Sequence, residues 1–168
     1  GLSMRIVAYD PNVKAEDFPS YVKRLESSDE AFAAGDFVSV HIPANEVNNK
    51  SITMKQFSLM KTGAYFLNLA RGELVVEEDL IKALKEQMIA GAGLDVLAKE
   101  PFEKGHPLLA MDNVLLSPHN ASLTTECMAI MAQHAAQGID EVLSGKRPSW
   151  PVTNPVNPRI DREKKETL

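Results

Sequence analysis

Three ionisable side chains fall within one stretch, GLDVLAKEPFEKGHPLLAMDNVLLSPHN, which begins at Gly93 and ends at Asn120. Asp95 closes the apolar run AGLDV, Glu100 lies in the loop that follows, and His119 closes the run NVLLSP. An imidazole titrates near neutral pH, and a neighbouring carboxylate both orients it and favours its charged form, so Glu100 and His119 have the makings of a proton-transfer pair. Arg71 follows another apolar run, AYFLNLA, at a glycine turn, and its planar fork could grip a carboxylate through two hydrogen bonds. Each group also has a plainer reading. Arg71 can be a turn residue, Glu100 a solvated loop charge, Asp95 a brace of its loop, and His119 a histidine at the approach to a helix. Spacing alone does not decide.

The runs that carry these groups read as strands. MRIVAYD at residues 4–10 is closed by the turn signal DPN, DFVSVHIP is ended by Pro43, and AGLDV and NVLLSP follow later. AYFLNLA is nearly continuous in apolar residues, which predicts burial on both faces. Between the strands lie a short helix near residues 15–19, an edge piece YVKRL, a helix DEAFAAG before Gly35, and the polar loop ANEVNNKS. Thr53 caps a helix over residues 54–59. Glu77, Glu78 and Asp79 place negative charge in the first turn of another, which Gly91 is expected to stop. A long helix spans about residues 123–143, with Ser122 or Thr124 as cap and Gly145 past its end. Strands alternating with helices predict an α/β fold with a doubly wound parallel sheet. In such a sheet ligands bind beyond the carboxyl ends of the strands, so groups at strand ends face a crevice rather than a core.

Other residues read as structural. Cys127, Met128 and Met131 lie on the long helix, where core packing is expected. His41 and His134 read as structural or surface residues, and His106 as a loop histidine before Pro107. Trp150 is expected to anchor an extended tail that begins near Pro148 and fades into disorder through DREKKETL. With 168 residues, one domain is the default expectation. A net charge of −5 offers no basic stripe for nucleic acid. No apolar run approaches the ~20 residues of a membrane helix. The single cysteine excludes an internal disulfide and suits a reducing, cytosolic compartment. GLSMRIVAYD does not read as a secretory leader, and no metal-ligand spacing is present.

AYFLNLARG, then GLDVLAKEP, then HPLLAMDNVLLSPHNAS resemble, in that order, the D-isomer-specific 2-hydroxyacid dehydrogenases, a family that includes phosphoglycerate, glycerate (hydroxypyruvate), glyoxylate, formate and D-lactate dehydrogenases. The DVxxxEP spacing from Asp95 to Pro101 matches, and the likeness runs to about Pro155. The resemblance implies a cytoplasmic, NAD-dependent oxidoreductase that passes hydride between the nicotinamide and C2 of a small 2-hydroxy or 2-keto acid. It implies Arg71 as the grip on the substrate carboxylate, His119 as acid/base and Glu100 as its orienting partner. Keto-acid reduction would then use the protonated imidazole, and hydroxy-acid oxidation the neutral one. Asp10 would bond the adenosine ribose and disfavour NADP, although Asp before Pro also starts turns. Ile42, Pro43 and Asn48 would line the adenine-ribose side. Leu69, Ala70, Asn120 and Ala121 would surround the nicotinamide, with Asp95 near it; Asn120 stands where the family has an apolar residue. A homodimer is implied as well.

One unit of the family's domain has no counterpart in these words. No G-x-G-x-x-G turn precedes MRIVAYD, and GAGLDV follows a helix and enters a strand, the reverse of the context such a turn needs. GLSM echoes the family's GLGM, so residues 1–146 are expected to be the C-terminal portion of an NAD-binding domain without its first βα unit, and residues 147–168 a tail. With a family strand order of C, B, A, D, E, F and no A, MRIVAYD and AYFLNLA are each expected to expose an unpaired inner edge. Several lost ladder bonds at ~1 kcal/mol each, plus lost core contacts, predict that the chain alone is not a stable, competent dehydrogenase. The substrate-binding domain has no counterpart either. The missing strand is expected to be supplied by another chain, to lie outside this sequence, or to be replaced by a swapped pairing. The competing reading is an inactive fragment or a protein-interaction module.

Overall fold

In the computed structural model, which describes residues 3–151, each apolar run becomes a parallel strand. The chain forms two compact units, divided between Ala121 and Ser122. In the first, β1 (Ile6–Ala8) pairs with β2 (Val22–Arg24), Ile6 opposite Val22. A second sheet contains β3 (Phe37–Val40), β4 (Tyr65–Asn68), β5 (Gly91–Leu94) and β6 (Val114–Leu116), side by side in that order and all parallel. Parallel pairing puts the carboxyl ends of β3 to β6 on one rim. The GAGLDV motif is β5 itself and its exit, as its sequence context requires.

Local chemistry accounts for the helix starts. The Ser27 hydroxyl accepts the Glu30 amide to cap α1 (Ser28–Ala34). At α2 (Met54–Leu59) the Thr53 hydroxyl accepts the Lys55 amide while the Gln56 side chain accepts the Thr53 amide, a reciprocal cap. Thr53→Ala is expected to lower stability by about 1 kcal/mol, read as a lower urea midpoint at unchanged slope. In α3 (Glu77–Lys85) acidic residues occupy the first turn and Lys82 and Lys85 the last, each opposing the local helix dipole.

Alternation along the strands sends Val38, Val40, Phe66, Ala92 and Leu94 to one face, where they are buried with Phe32, Phe57, Leu80, Ala83 and Leu84 of α1, α2 and α3. The Phe57 ring meets Phe66 edge-on at 5.3 Å. The opposite face carries Phe37 and Tyr65, stacked at 5.4 Å and exposed, together with exposed Leu115. AYFLNLA is therefore buried on one face only, because α1, α2 and α3 all pack on the same side.

Two further expectations are corrected. Gly91 does not stop α3; the helix ends at Lys85, Gln87 makes the turn at φ 55°, and Gly91 already lies in β5. A side chain at Gly91 would come within 2.6 Å of the Asn113 carbonyl oxygen, so its smallness serves strand packing. AYFLNLA has no unpaired edge, since β4 is bonded on both sides by β3 and β5; among the described residues the edge strands are β1, β2, β3 and β6.

The second unit holds α4 (Thr125–Leu143), capped by the Thr124 hydroxyl on the Cys127 amide. Met128 and Met131 are 49% and 54% exposed and no residue of α4 is buried, contrary to the expected core role, because nothing among the described residues covers that face. Trp150 does anchor its segment, stacking on His134 at 4.0 Å. Residues 152–168, where the disordered tail is expected, lie outside the described residues.

Candidate active site at the strand ends

The turn after β4 is built by a polar residue at the end of an apolar strand. Asn68 is 1% exposed; its amide nitrogen donates to the Arg71 carbonyl at 2.9 Å and its oxygen accepts the Ala70 amide at 3.0 Å, closing the turn that presents Arg71. Arg71 is exposed, and its guanidinium donates to the carbonyl of Ala70 at 2.7 Å. Gly72 presses that turn against the loop after β5: a Cβ there would lie 2.0 Å from the Leu97 carbonyl oxygen. The turn of Arg71 and the loop of Glu100 are thus in direct contact.

Glu100 folds back so that one oxygen accepts the Leu97 amide at 2.9 Å while the other meets His119 Nδ1 at 2.7 Å. The His119 imidazole and the Leu97 amide hold the Glu100 carboxyl below the usual carboxylate range, against the opposing effects of burial and of nearby Asp95. An ionised carboxylate can only accept, so Nδ1 donates and Nε2 is left as the atom that can take or give a proton. Among the described residues Nε2 makes no hydrogen bond, and the ring is half exposed at 49%.

His119 has a φ of 52°, a left-handed backbone uncommon outside glycine. Asp95 holds it there. Buried to 5% exposure, the Asp95 carboxylate accepts Ser117 Oγ at 2.5 Å and the amides of Asn120 at 3.0 Å and Ala121 at 2.9 Å. Burial pushes this carboxyl up, but those three donors and the nearby imidazole outweigh it and keep it below the usual range. Strain at a reactive residue persists when surroundings over-determine it, and Asp95 supplies that constraint from both sides of His119.

The remaining expected residues lie in the segments that follow β1, β3 and β4. Ile42, just past β3, and Leu69, just past β4, are exposed at 41% and 45%, and Ala70 is half-buried. Asn48 is engaged in its own loop, donating to the Pro43 carbonyl at 2.6 Å and accepting the Asn45 amide at 2.8 Å. Asp10, past the end of β1, spends one oxygen on the Asn12 amide at 2.8 Å, and its other makes no hydrogen bond among the described residues. That free oxygen suits a ribose hydroxyl, and Ile42 and Leu69 offer apolar surface for ring systems. These residues have the chemistry that the two ends of a dinucleotide need, whereas no glycine turn between a strand and a helix stands ready for its pyrophosphate among the described residues.

Two features have little signal in the sequence. Glu77 and His106 form a second carboxylate–imidazole pair at 2.8 Å behind the loop, and Asn68 is the hinge of the Arg71 turn. The only sequence signal for Asn68 is an amide inside an otherwise apolar run.

Comparisons with known proteins identify the family. The family model for the NAD-binding domain of the D-isomer-specific 2-hydroxyacid dehydrogenases matches residues 1–121. A glyoxylate reductase of Thermofilum pendens is 40% identical over 147 residues, covering 86% of this chain and 43% of that protein. A D-3-phosphoglycerate dehydrogenase of Methanocaldococcus jannaschii is 37% identical over 163 residues, covering 96% of this chain and 30% of its own. Among solved structures, D-lactate dehydrogenase from Lactobacillus jensenii with NAD+ superposes with a TM-score of 0.79 at 32% identity, over 89% of this chain and 48% of that one. The chain thus spans less than half the length of these relatives. With the family model matching most of the chain, and with a carboxylate–imidazole pair at the carboxyl rim of a parallel sheet, the chain belongs to the D-isomer-specific 2-hydroxyacid dehydrogenase family.

Proposed function

We propose that this chain carries the proton-transfer and nicotinamide side of an NAD-dependent oxidoreductase that interconverts small D-2-hydroxy acids and their 2-keto counterparts, such as phosphoglycerate, glycerate and hydroxypyruvate, or glyoxylate. The observation that carries the reading is the 2.7 Å contact of Glu100 with His119 Nδ1, which leaves Nε2 facing outward at the strand ends. The dinucleotide, when bound, supplies or accepts the hydride. His119 Nε2 gives a proton to the substrate's carbonyl oxygen in reduction and takes it back in oxidation. Glu100 fixes the tautomer that makes this possible and stabilises the imidazolium. Arg71 turns from the Ala70 carbonyl to hold the substrate carboxylate through its fork. Asp95 braces the His119 loop beneath the nicotinamide pocket, with Leu69, Ala70, Asn120 and Ala121 around it. Asp10, Ile42, Pro43 and Asn48 serve the adenosine end. The lone Cys127 suits a cytoplasmic protein, and the apolar residues left exposed along α4 support a homodimer, checked by sedimentation.

The test is NADH-dependent reduction of glyoxylate and hydroxypyruvate, with NADH fluorescence titrated in parallel. Glu100→Gln is expected to move the pH profile of reduction; an unmoved profile counts against the pair. The same variant tests linkage. Because the folded Glu100 carboxyl lies below its unfolded value, its contribution to stability is present above the ordinary carboxylate range. It is lost as pH falls through the lowered folded value. Urea midpoints from neutral to acid pH should therefore fall more steeply for the parent than for Glu100→Gln.

The unpaired edges of β1, β2, β3 and β6 favour a second reading, in which the chain is a module that pairs with another strand and does no chemistry. No change in NADH fluorescence and no turnover would select it.

A further inference from the structure

The loop after β5 is gripped at two successive amides by two different carboxylates. Glu100 takes the amide of Leu97 at 2.9 Å, and Glu77, the first residue of α3, takes the amide of Ala98 at 3.1 Å. The other oxygen of Glu77 meets His106 Nε2 at 2.8 Å, and the two side chains are only 17% and 18% exposed. His106 is held on its far side as well: its Nδ1 lies 3.3 Å from the Leu108 amide, which can only donate. Nδ1 therefore accepts, Nε2 carries the proton, and Glu77 receives it. Leu108 is 1% exposed, so this end of the chain of bonds is fixed in the core, while α3 fixes the other.

Nothing in the proton transfer described above uses Glu77 or His106. Burying most of a carboxylate costs desolvation, offset here by two donors that come from the two ends of one loop, residues 98 and 106. The loop between them carries Glu100. Gly72 already touches the Leu97 carbonyl, so the backbone at residues 97 and 98 is confined by that contact and tied by Glu77.

We propose that Glu77 and His106 are positioning residues: by fixing the backbone at Leu97 and Ala98, the pair sets the carboxylate of Glu100 against His119. This rests on the reading of His119 and Glu100 as the acid/base pair. A device of this kind gives the orienting carboxylate a rigid base although it sits on a surface loop.

The test uses the 168-residue chain, with amide hydrogen exchange and a carboxyl-carbon NMR titration of Glu100 as readouts. Glu77→Ala is expected to speed exchange at Leu97 and Ala98 by ~10-fold, the loss of one charge-assisted hydrogen bond, and to move the Glu100 titration up toward the ordinary carboxylate range. His106→Ala should act in the same direction, and Glu77→Gln, which keeps an acceptor, should restore part of both effects. Asp79→Ala is the control, since Asp79 binds the Met54 amide from the same first turn of α3. It should move neither readout. An unmoved Glu100 titration in Glu77→Ala, or an equal movement in Asp79→Ala, overturns the proposal. If Glu77→Ala does not fold, Glu77→Gln decides: Glu100 titrating as in the parent while Ala98 exchange quickens overturns it, and both moving together supports it. A His119→Ala chain whose Glu100 titration is unchanged would overturn the acid/base pair instead, so the two failures can be told apart.

Discussion

In a full-length enzyme that carries this domain, His119→Gln is expected to slow keto-acid reduction by about 100- to 10,000-fold, the range that a positioned general acid contributes. Gln keeps a polar, hydrogen-bonding side chain of similar reach but has no proton to transfer near neutral pH. The large effect follows from how little else at this rim can substitute. Glu100 is ionised and committed to Leu97 and His119, and Asp95 is buried beneath three donors. The drop should appear in single-turnover rates at saturating NADH rather than in the affinity for NADH, because the imidazole acts on the substrate oxygen. A variant as fast as the parent would remove His119 from the chemistry.

Much of this arrangement is legible in the sequence because it is local. Ser or Thr before a helix, apolar alternation in a strand and a Gly after Arg each act over a few residues, and α2 with its Thr53 cap falls where the sequence places it. The dyad is legible only through its place in an ordered set of motifs, since 19 residues separate its members and a bulk-solvated Glu100 would leave the same words. For Asp95 the residues leave a brace of its loop open and the resemblance implies a place near the nicotinamide; its two oxygens serve backbone and hydroxyl donors 22 to 26 residues away, which no spacing rule encodes.

Burial is the least legible property. AYFLNLA has the composition of a strand covered twice, and the Met residues of α4 that of a core helix, but composition states what a face could bury and not what lies over it. The identity of the unpaired edges depends on strand order in the same way. The edges follow from which strands pair, and pairing is a property of the whole sheet.

Gly72→Ala is expected to lower stability by about 3 kcal/mol and to disorganise the site with it. The added Cβ would lie 2.0 Å from the Leu97 carbonyl oxygen, 2.1 Å from its carbon and 2.6 Å from the Ala98 nitrogen, all backbone atoms with no rotamer to retreat into. Either the Arg71 turn or the loop after β5 must move. The first is held by the buried Asn68 and the second by Glu77 and Glu100, so relief in either direction breaks hydrogen bonds as well as packing. Gly63→Ala is the matching control, because nothing lies within 4 Å of where its Cβ would stand and a smaller unfolded-state entropy should leave stability level or slightly raised. Urea denaturation of the two variants separates these outcomes. If Gly72→Ala keeps the parent's midpoint and its Glu100 still titrates below the ordinary range, then the contact between the two turns does not set the geometry of the pair.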